Sequence, residues 1–583
     1  MEPRPPAHRD TFVELRPRPE PELLAARAAL PPAARRMTAV IVVHGMGQQV
    51  PFETLEQVAN LLRDADQARR EAPRSGSGAP AGPRAGNSAP AGPRAGNGAP
   101  AGPRVVVDEV MLGEKQLPRA ELRVAADGGH RDVHLYEAYW APATEGRVTL
   151  RDTISFLVRS GLNSLLHVRD RTFDRWMFGR WIRFLIYRGR TALELLAVLL
   201  LLGSLIFVNA VITAAMASHT LTGGGAAWPP PPLFRQITLD LALLIPSALS
   251  IVIGATLVPA WLRGRALAAR LVPSAAAGDQ GLPIGSLLGW FLVGVGAAGI
   301  VAIAAFMLRH VVVGPGLFMT HLKFRGALLF PPGDPVGTYG MLAAWMIWLV
   351  AIAVSLSARW FLVEYVGDVA AYVSSHTVSR FAEVRHQIHE IAMSVARPVY
   401  AARGPGGREP LYDRLVVVGH SLGSVVAYDM LNAIILEDRL KGLPYDAAHR
   451  TEMLLTFGSP LEKTAYLFRT QRPRAAEVRE ALAAAVQPMI QNYVSRPRFW
   501  VNLHSPNDII SGHLRFYDAE DPPEGGSRRV ENIVDPDADQ PLLAHNQYWT
   551  NPLLASVLLD GVTGAWTPGV RGEQGPRAMK RGI

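Results

Sequence analysis

The sequence predicts an α/β domain, a mostly parallel sheet flanked by helices, interrupted by an all-α transmembrane bundle of four helices. Three observations predict it. Short β-branched runs that end at glycine- or proline-containing turns alternate with stretches of helical periodicity. Four apolar stretches without Asp, Glu, Lys or Arg have the length of about 20 residues that a hydrocarbon core requires. Hydrophobic residues make up 49% of the chain, beside a formal charge of +9, so apolar segments are concentrated while arginine gathers between them.

With 583 residues the chain exceeds one ordinary core. It has no cysteine, which excludes disulfides, thiolate catalysis and cysteine-held metal. The start, Met1-Glu2-Pro3-Arg4-Pro5-Pro6, lacks the apolar core of a cleaved secretory signal. No zinc spacing or nucleic-acid signature accompanies the basic charge, so nucleic acid is not an expected partner. No cofactor or metal site is expected either.

Residues 1–36, rich in Pro, Arg and Ala, read as a flexible arm with one short helix near Leu23 to Leu30. Order begins in 37–72, where the run Thr38 to Val43 stops at the turn His44-Gly45-Met46-Gly47 and a helix follows from Phe52 to Leu62. Residues 73–104 repeat Ala-Pro-Ala-Gly-Pro-Arg, with only alanine to bury, and read as a linker. The sheet resumes in 105–168, at Val105 to Val107 and at Val133 to Trp140.

Between Arg169 and Arg190 seven arginines alternate with Trp176, Phe178, Trp181, Phe184 and Tyr187, a composition suited to anionic lipid headgroups. The expected transmembrane domain, 191–362, holds spans at about 195–216, 241–262, 287–308 and 341–358. Their lack of charge argues against an ion path. An even number of spans leaves both flanking segments on one side. The seven arginines before the first span, with Arg263, Arg265, Arg270 and Arg359, outweigh Arg235, Arg309, Lys323 and Arg325 on the other, so both halves and termini are expected in the cytoplasm.

The remaining part, 363–560, opens with an amphipathic helical stretch from Tyr365 to about Val399. The run Leu415-Val416-Val417-Val418 then enters Gly419-His420-Ser421-Leu422-Gly423, and Val425, Val426, Met430, Leu431 and Ile434 recur at helical spacing. Ser421 therefore falls on a sharp strand-to-helix turn, where only glycine is tolerated two residues to either side. Further strands are expected at Met453 to Phe457, before the turn Gly458-Ser459-Pro460, and at Phe499 to His504, before Ser505-Pro506-Asn507-Asp508. Helices are expected at Ala475 to Val486 and from Pro552 to Leu559, and 561–583 reads as a flexible tail.

In His44-Gly45-Met46-Gly47, Gly419-His420-Ser421-Leu422-Gly423, Asp508 and His545 the chain resembles the serine lipases and esterases of the α/β-hydrolase superfamily. The resemblance covers 38–72, parts of 105–150, and 365–560. It implies a triad in the chain order Ser, Asp, His: Ser421 as nucleophile, Asp508 as the acid and His545 as the base. Asp535 and Asp537 are rival acids. His513 is the rival base, though it follows Asp508 too closely to leave room for another sheet element. The resemblance also implies oxyanion donors at the N–H groups of Leu422 and Met46, while His420 is expected to pack beside the turn and Gly458-Ser459-Pro460 to be structural.

The expectation is an integral membrane serine hydrolase cleaving carboxylic esters, with lipid or lipid-like acyl substrates. Two alternatives remain open: a membrane transporter with a regulatory hydrolase-like domain, and a non-catalytic scaffold retaining the fold.

Overall fold

The structure is a computed structural model. It describes residues 13–15, 37–71, 104–156, 367–373 and 379–569, with 48, 127–128, 150, 154, 405, 471–484, 509, 515–516, 519–525 and 541–542 excepted.

These residues form one nine-stranded sheet in the order β1-β3-β4-β5-β2-β6-β7-β8-β9. The strands are β1 (Val13–Leu15), β2 (Met37–Val43), β3 (Val105–Leu112), β4 (Lys115–Ala126), β5 (Gly129–Ala138), β6 (Arg414–His420), β7 (Thr451–Phe457), β8 (Phe499–His504) and β9 (Val530–Val534). Only the pairs β3–β4 and β4–β5 are antiparallel. The central β2 pairs in parallel with β5 on one side and β6 on the other.

Helices cover both faces: α1 (Glu53–Glu71), α2 (Gly367–Val373), α3 (Ser379–Ala401), α4 (Leu422–Lys441), α5 (Ala447–Arg450), α6 (Leu461–Thr470), α7 (Pro488–Gln491), α8 (Ala544–Gln547) and α9 (Pro552–Thr563). The alternation of β2 shows why two layers are needed. Ala39, Ile41 and Val43 enter a core with Val384, Ile388 and Ala392 of α3 and Leu422, Val426 and Leu431 of α4. Val40 and Val42 enter the opposite core, with Val58 and Leu62 of α1 and Leu554 and Leu558 of α9. Parallel strands buried on both faces read as continuous apolar runs, as β2, β6 and β7 do.

Three elements depart from the sequence-based expectation. Val13–Leu15, within the expected arm, pairs with Val105–Val107 as an edge strand. Charged β4 is a strand because Arg119 forms ion pairs with Asp108 and Glu121 within the sheet layer, where all three are buried. The polar stretch before His545 contains β9, parallel to β8.

The expected four-helix transmembrane bundle, and with it the multi-pass membrane placement with cytoplasmic halves, is corrected. Among the described residues no helix is long and apolar enough to cross a membrane. The longest, α3, carries Arg380, Glu383, Arg385, Glu390 and Arg397, and α4 ends in Glu437, Asp438, Arg439 and Lys441. The four apolar stretches lie outside the described residues, as do the repeat up to 103, the Arg169 to Arg190 segment, the helix near Leu23, and most of Ala475 to Val486.

Candidate active site

The parallel strands β2, β6, β7 and β8 end on the same side of the sheet, and the candidate residues lie in the loops beyond those ends. Ser421 joins β6 to α4 with φ 51° and ψ −131°, a left-handed conformation unfavourable for a residue with a Cβ. The neighbouring glycines make it possible. A Cβ on Gly419 would lie 2.6 Å from the Ser424 Cα, and one on Gly423 only 2.1 Å from the His44 carbonyl oxygen. The turn is tied down by the Ser421 N–H donating to the Phe457 carbonyl at 3.1 Å. The Ser424 hydroxyl donates to the Ser421 carbonyl at 2.6 Å and lies 2.6 Å from the Ser459 hydroxyl.

His545 lies in α8, and its Nε2 is 3.0 Å from Ser421 Oγ. Its Nδ1 lies 2.9 Å from Asp508 Oδ2. Asp508 follows β8 and is buried; its Oδ1 accepts the Ile510 N–H at 2.8 Å, and Oδ2 also accepts the Tyr548 hydroxyl at 3.1 Å. Burial alone would raise this carboxyl. The charge of and hydrogen bond from His545, with the Ile510 N–H and Lys463, outweigh burial and hold it well below the ordinary aspartate value. An ionised carboxylate only accepts, so His545 must carry its proton on Nδ1 and offer the Nε2 lone pair to Ser421.

Two other histidines border the site in different states. Burial lowers His44 to about 4, against a small opposing effect of the Gly45 carbonyl. Its Nε2 accepts the N–H groups of Trp140 (2.8 Å) and Ala141 (3.2 Å), so Nδ1 donates to the Gly45 carbonyl at 2.8 Å. His44 thus joins the end of β2 to the end of β5, with its ring stacked on Trp140 at 4.7 Å. His420 is lowered to about 3 by burial and by repulsion from His545. Its ring stacks on Phe457 at 4.9 Å, and its Nε2 lies 3.3 Å from the His545 carbonyl, to which it donates.

The loop His44-Gly45-Met46-Gly47 passes over the serine: a Cβ on Gly45 would lie 3.0 Å from Ser421 Cβ. The Met46 side chain is buried in the core. As the first residue of α4, Leu422 has an N–H with no acceptor in its own helix. The Gly458 turn has φ 59°, and a Cβ there would lie 3.1 Å from His545 Cε1, so it leaves the slot in which the imidazole sits.

The structure therefore brings Ser421, His545 and Asp508 together and sets the rivals elsewhere. Asp535 accepts from the Asn551 side chain and from the Asp537 N–H, both at 3.0 Å. The His513 ring lies against that of His504, 5.7 Å between centroids. Tyr548 was not anticipated from sequence, although its position three residues after His545 brings two neighbouring side chains to one carboxylate. Among the described residues no group of three or more His, Cys, Asp or Glu is placed to hold a metal ion. No protein-family model, curated protein or solved structure matches this chain.

Proposed function

We propose that the chain is a serine hydrolase of the α/β-hydrolase type that cleaves carboxylic esters through an acyl-enzyme. The observation that carries this reading is the continuous chain from Asp508 through His545 to Ser421, with both hydrogen-bond distances at or below 3.0 Å and the serine on a strained strand-to-helix turn.

In this mechanism His545 Nε2 takes the Ser421 hydroxyl proton as Oγ bonds to the acyl carbon. The carbonyl oxygen gains the negative charge and is met by the N–H groups of Leu422 and Met46. Collapse breaks the ester C–O bond, and the leaving alkoxide takes the proton back from His545. Water repeats the sequence: His545 accepts its proton, the hydroxide oxygen bonds to the acyl carbon, and Ser421 leaves as the alcohol. Asp508 stays ionised throughout, holding the imidazole orientation and stabilising its cation.

A fluorophosphonate probe tests the reading, because it is captured by an activated serine. The folded wild-type protein should be labelled at Ser421 and the Ser421→Ala variant should not. Failure of the folded protein to label, or a label mapped to another residue, overturns the proposal.

A further inference from the structure

The candidate oxyanion donor Met46 sits in a loop whose next peptide group is held at both ends. The Gly47 N–H donates to Asp368 Oδ2 at 2.8 Å, and the Met46 carbonyl accepts the Gln49 side-chain amide at 3.3 Å. Gly47 has φ 94°, a conformation that glycine adopts freely and L side chains rarely do, so the peptide's orientation depends on a glycine here and on the two hydrogen bonds that hold it. Asp368 is buried and lies at the start of α2, the first described helix after residue 366.

That helix is itself fixed to the nucleophile's helix. The Tyr372 hydroxyl donates to Asp429 Oδ2 of α4 at 2.6 Å, and Arg385 of α3 reaches the same oxygen at 2.9 Å. The Asp368 carboxylate is thus referenced, through α2 and Asp429, to the helix that begins at Ser421. On the other side the Gly45 Cα is wedged near Ser421, and the Met46 side chain is anchored in the core. With its Cα anchored and the following peptide held, Met46 has little freedom left to turn its own N–H.

We infer that Asp368 is a positioning residue for the oxyanion hole, whose hydrogen bond to Gly47 keeps the Met46 N–H aimed at the developing oxyanion. The inference rests on the reading of Ser421 as the nucleophile. A side chain that serves only the fold would change stability. One that aims an oxyanion donor changes the transition state while leaving substrate binding alone.

The test compares Asp368→Ala and Asp368→Asn with wild type on a short-chain aryl ester, together with inhibition by a trifluoromethyl ketone of matching acyl length. That ketone forms a hemiketal oxyanion with the serine and reports the hole directly. For Asp368→Ala, kcat should fall about 10- to 100-fold with KM changed less than about two-fold, and ketone affinity should weaken in proportion. Asp368→Asn keeps an oxygen acceptor for Gly47 and should restore both quantities to near wild type.

Unchanged kcat and ketone affinity in Asp368→Ala, a rise in KM alone, or an Asp368→Asn variant as impaired as alanine each overturns the inference. If Asp368→Ala does not fold, Asp368→Ser, polar but too short to reach the Gly47 N–H, is read by the same criteria. Wild-type and Ser421→Ala controls separate the two levels. Turnover that does not depend on Ser421 overturns the hydrolase reading and this inference with it, whereas Ser421-dependent turnover indifferent to Asp368→Ala overturns this inference alone.

Discussion

Tyr548 and His545 share one oxygen of Asp508: the tyrosine hydroxyl donates to Oδ2 at 3.1 Å, and the imidazole Nδ1 lies 2.9 Å from the same atom. A second donor draws charge from the oxygen that stabilises the imidazolium. Tyr548→Phe keeps the buried ring and removes that donor. Asp508 keeps its contacts with the His545 imidazole and the Ile510 N–H, so the triad geometry should persist. Aryl ester turnover should fall by less than about ten-fold. A loss as large as that of Asp508→Asn would show that the hydroxyl is needed to hold the carboxylate in place.

The triad assignment predicts non-additive losses. Ser421→Ala and His545→Ala should each lower aryl ester turnover by roughly 10⁴-fold or more, and the double variant should be hardly worse than either single one. Asp508→Asn should keep the fold by circular dichroism yet lose several orders of magnitude, because an amide does not stabilise the imidazolium. His513→Ala should stay close to wild type. Collapse in His513→Ala with normal rates in His545→Ala would transfer the base to His513.

Gly423→Ala should cost more than any other single methyl at the site. Its Cβ would lie 2.1 Å from the His44 carbonyl oxygen and 2.4 Å from that of Val43, main-chain atoms at the end of the central strand and the start of the turn after it. Relief requires moving α4 away from β2, which breaks the contact that brings the serine to its loop. The variant should lose fluorophosphonate labelling and melt well below wild type. Labelling at the wild-type rate would contradict the described approach of helix and strand.

Glu137 predicts a pH dependence of stability. Burial pushes its carboxyl up to about 7, with the Glu53 charge adding to the shift and the Phe52 N–H, bonded to Oε2 at 2.7 Å, opposing it. The folded state therefore keeps this proton to about pH 7, while the unfolded chain releases it near 4.5. Between those values the folded state binds more protons, so this carboxyl's contribution falls as pH rises and is constant above the window. Glu137→Gln retains an acceptor for Phe52 and removes the titration. Its unfolding free energy from urea titration should match wild type near pH 4.5 and exceed it at pH 8, by on the order of 2 kcal/mol after discounting for the partial exposure of the carboxyl. Equal free energies at pH 8 would place the wild-type carboxyl near its ordinary value.

The parts of the domain that a sequence displays are those buried on both faces. Strands β2, β6 and β8 read directly, because parallel pairing leaves them no solvent face. The placement of the candidate residues was legible to the same degree, since Ser421 and Asp508 follow such strands and the glycines mark the close approach. Strand β4 was not, because Pro118, Arg119, Glu121 and Arg123 resemble a surface stretch until Asp108 and His134 are known to face Arg119. Strand β9 hides similarly in Val530-Glu531-Asn532-Ile533-Val534, where Asn532 is satisfied by Asn502 across the sheet. Nothing in the sequence marks Asp368, because its partner is a main-chain N–H 321 residues away.

The pairing of β2 with β6 also sets a schedule for synthesis. When Val43 is added to the growing chain, Gly419, its partner across the sheet, is 376 residues (419 − 43) from being made, a delay of about 20 to 75 s at ordinary elongation rates. Helix α9, which covers one face of β2, comes later still. For that interval the future centre of the sheet is a strand with one open edge and one bare apolar face, the kind of nascent surface that chaperones hold and that recruits a neighbouring chain when they do not.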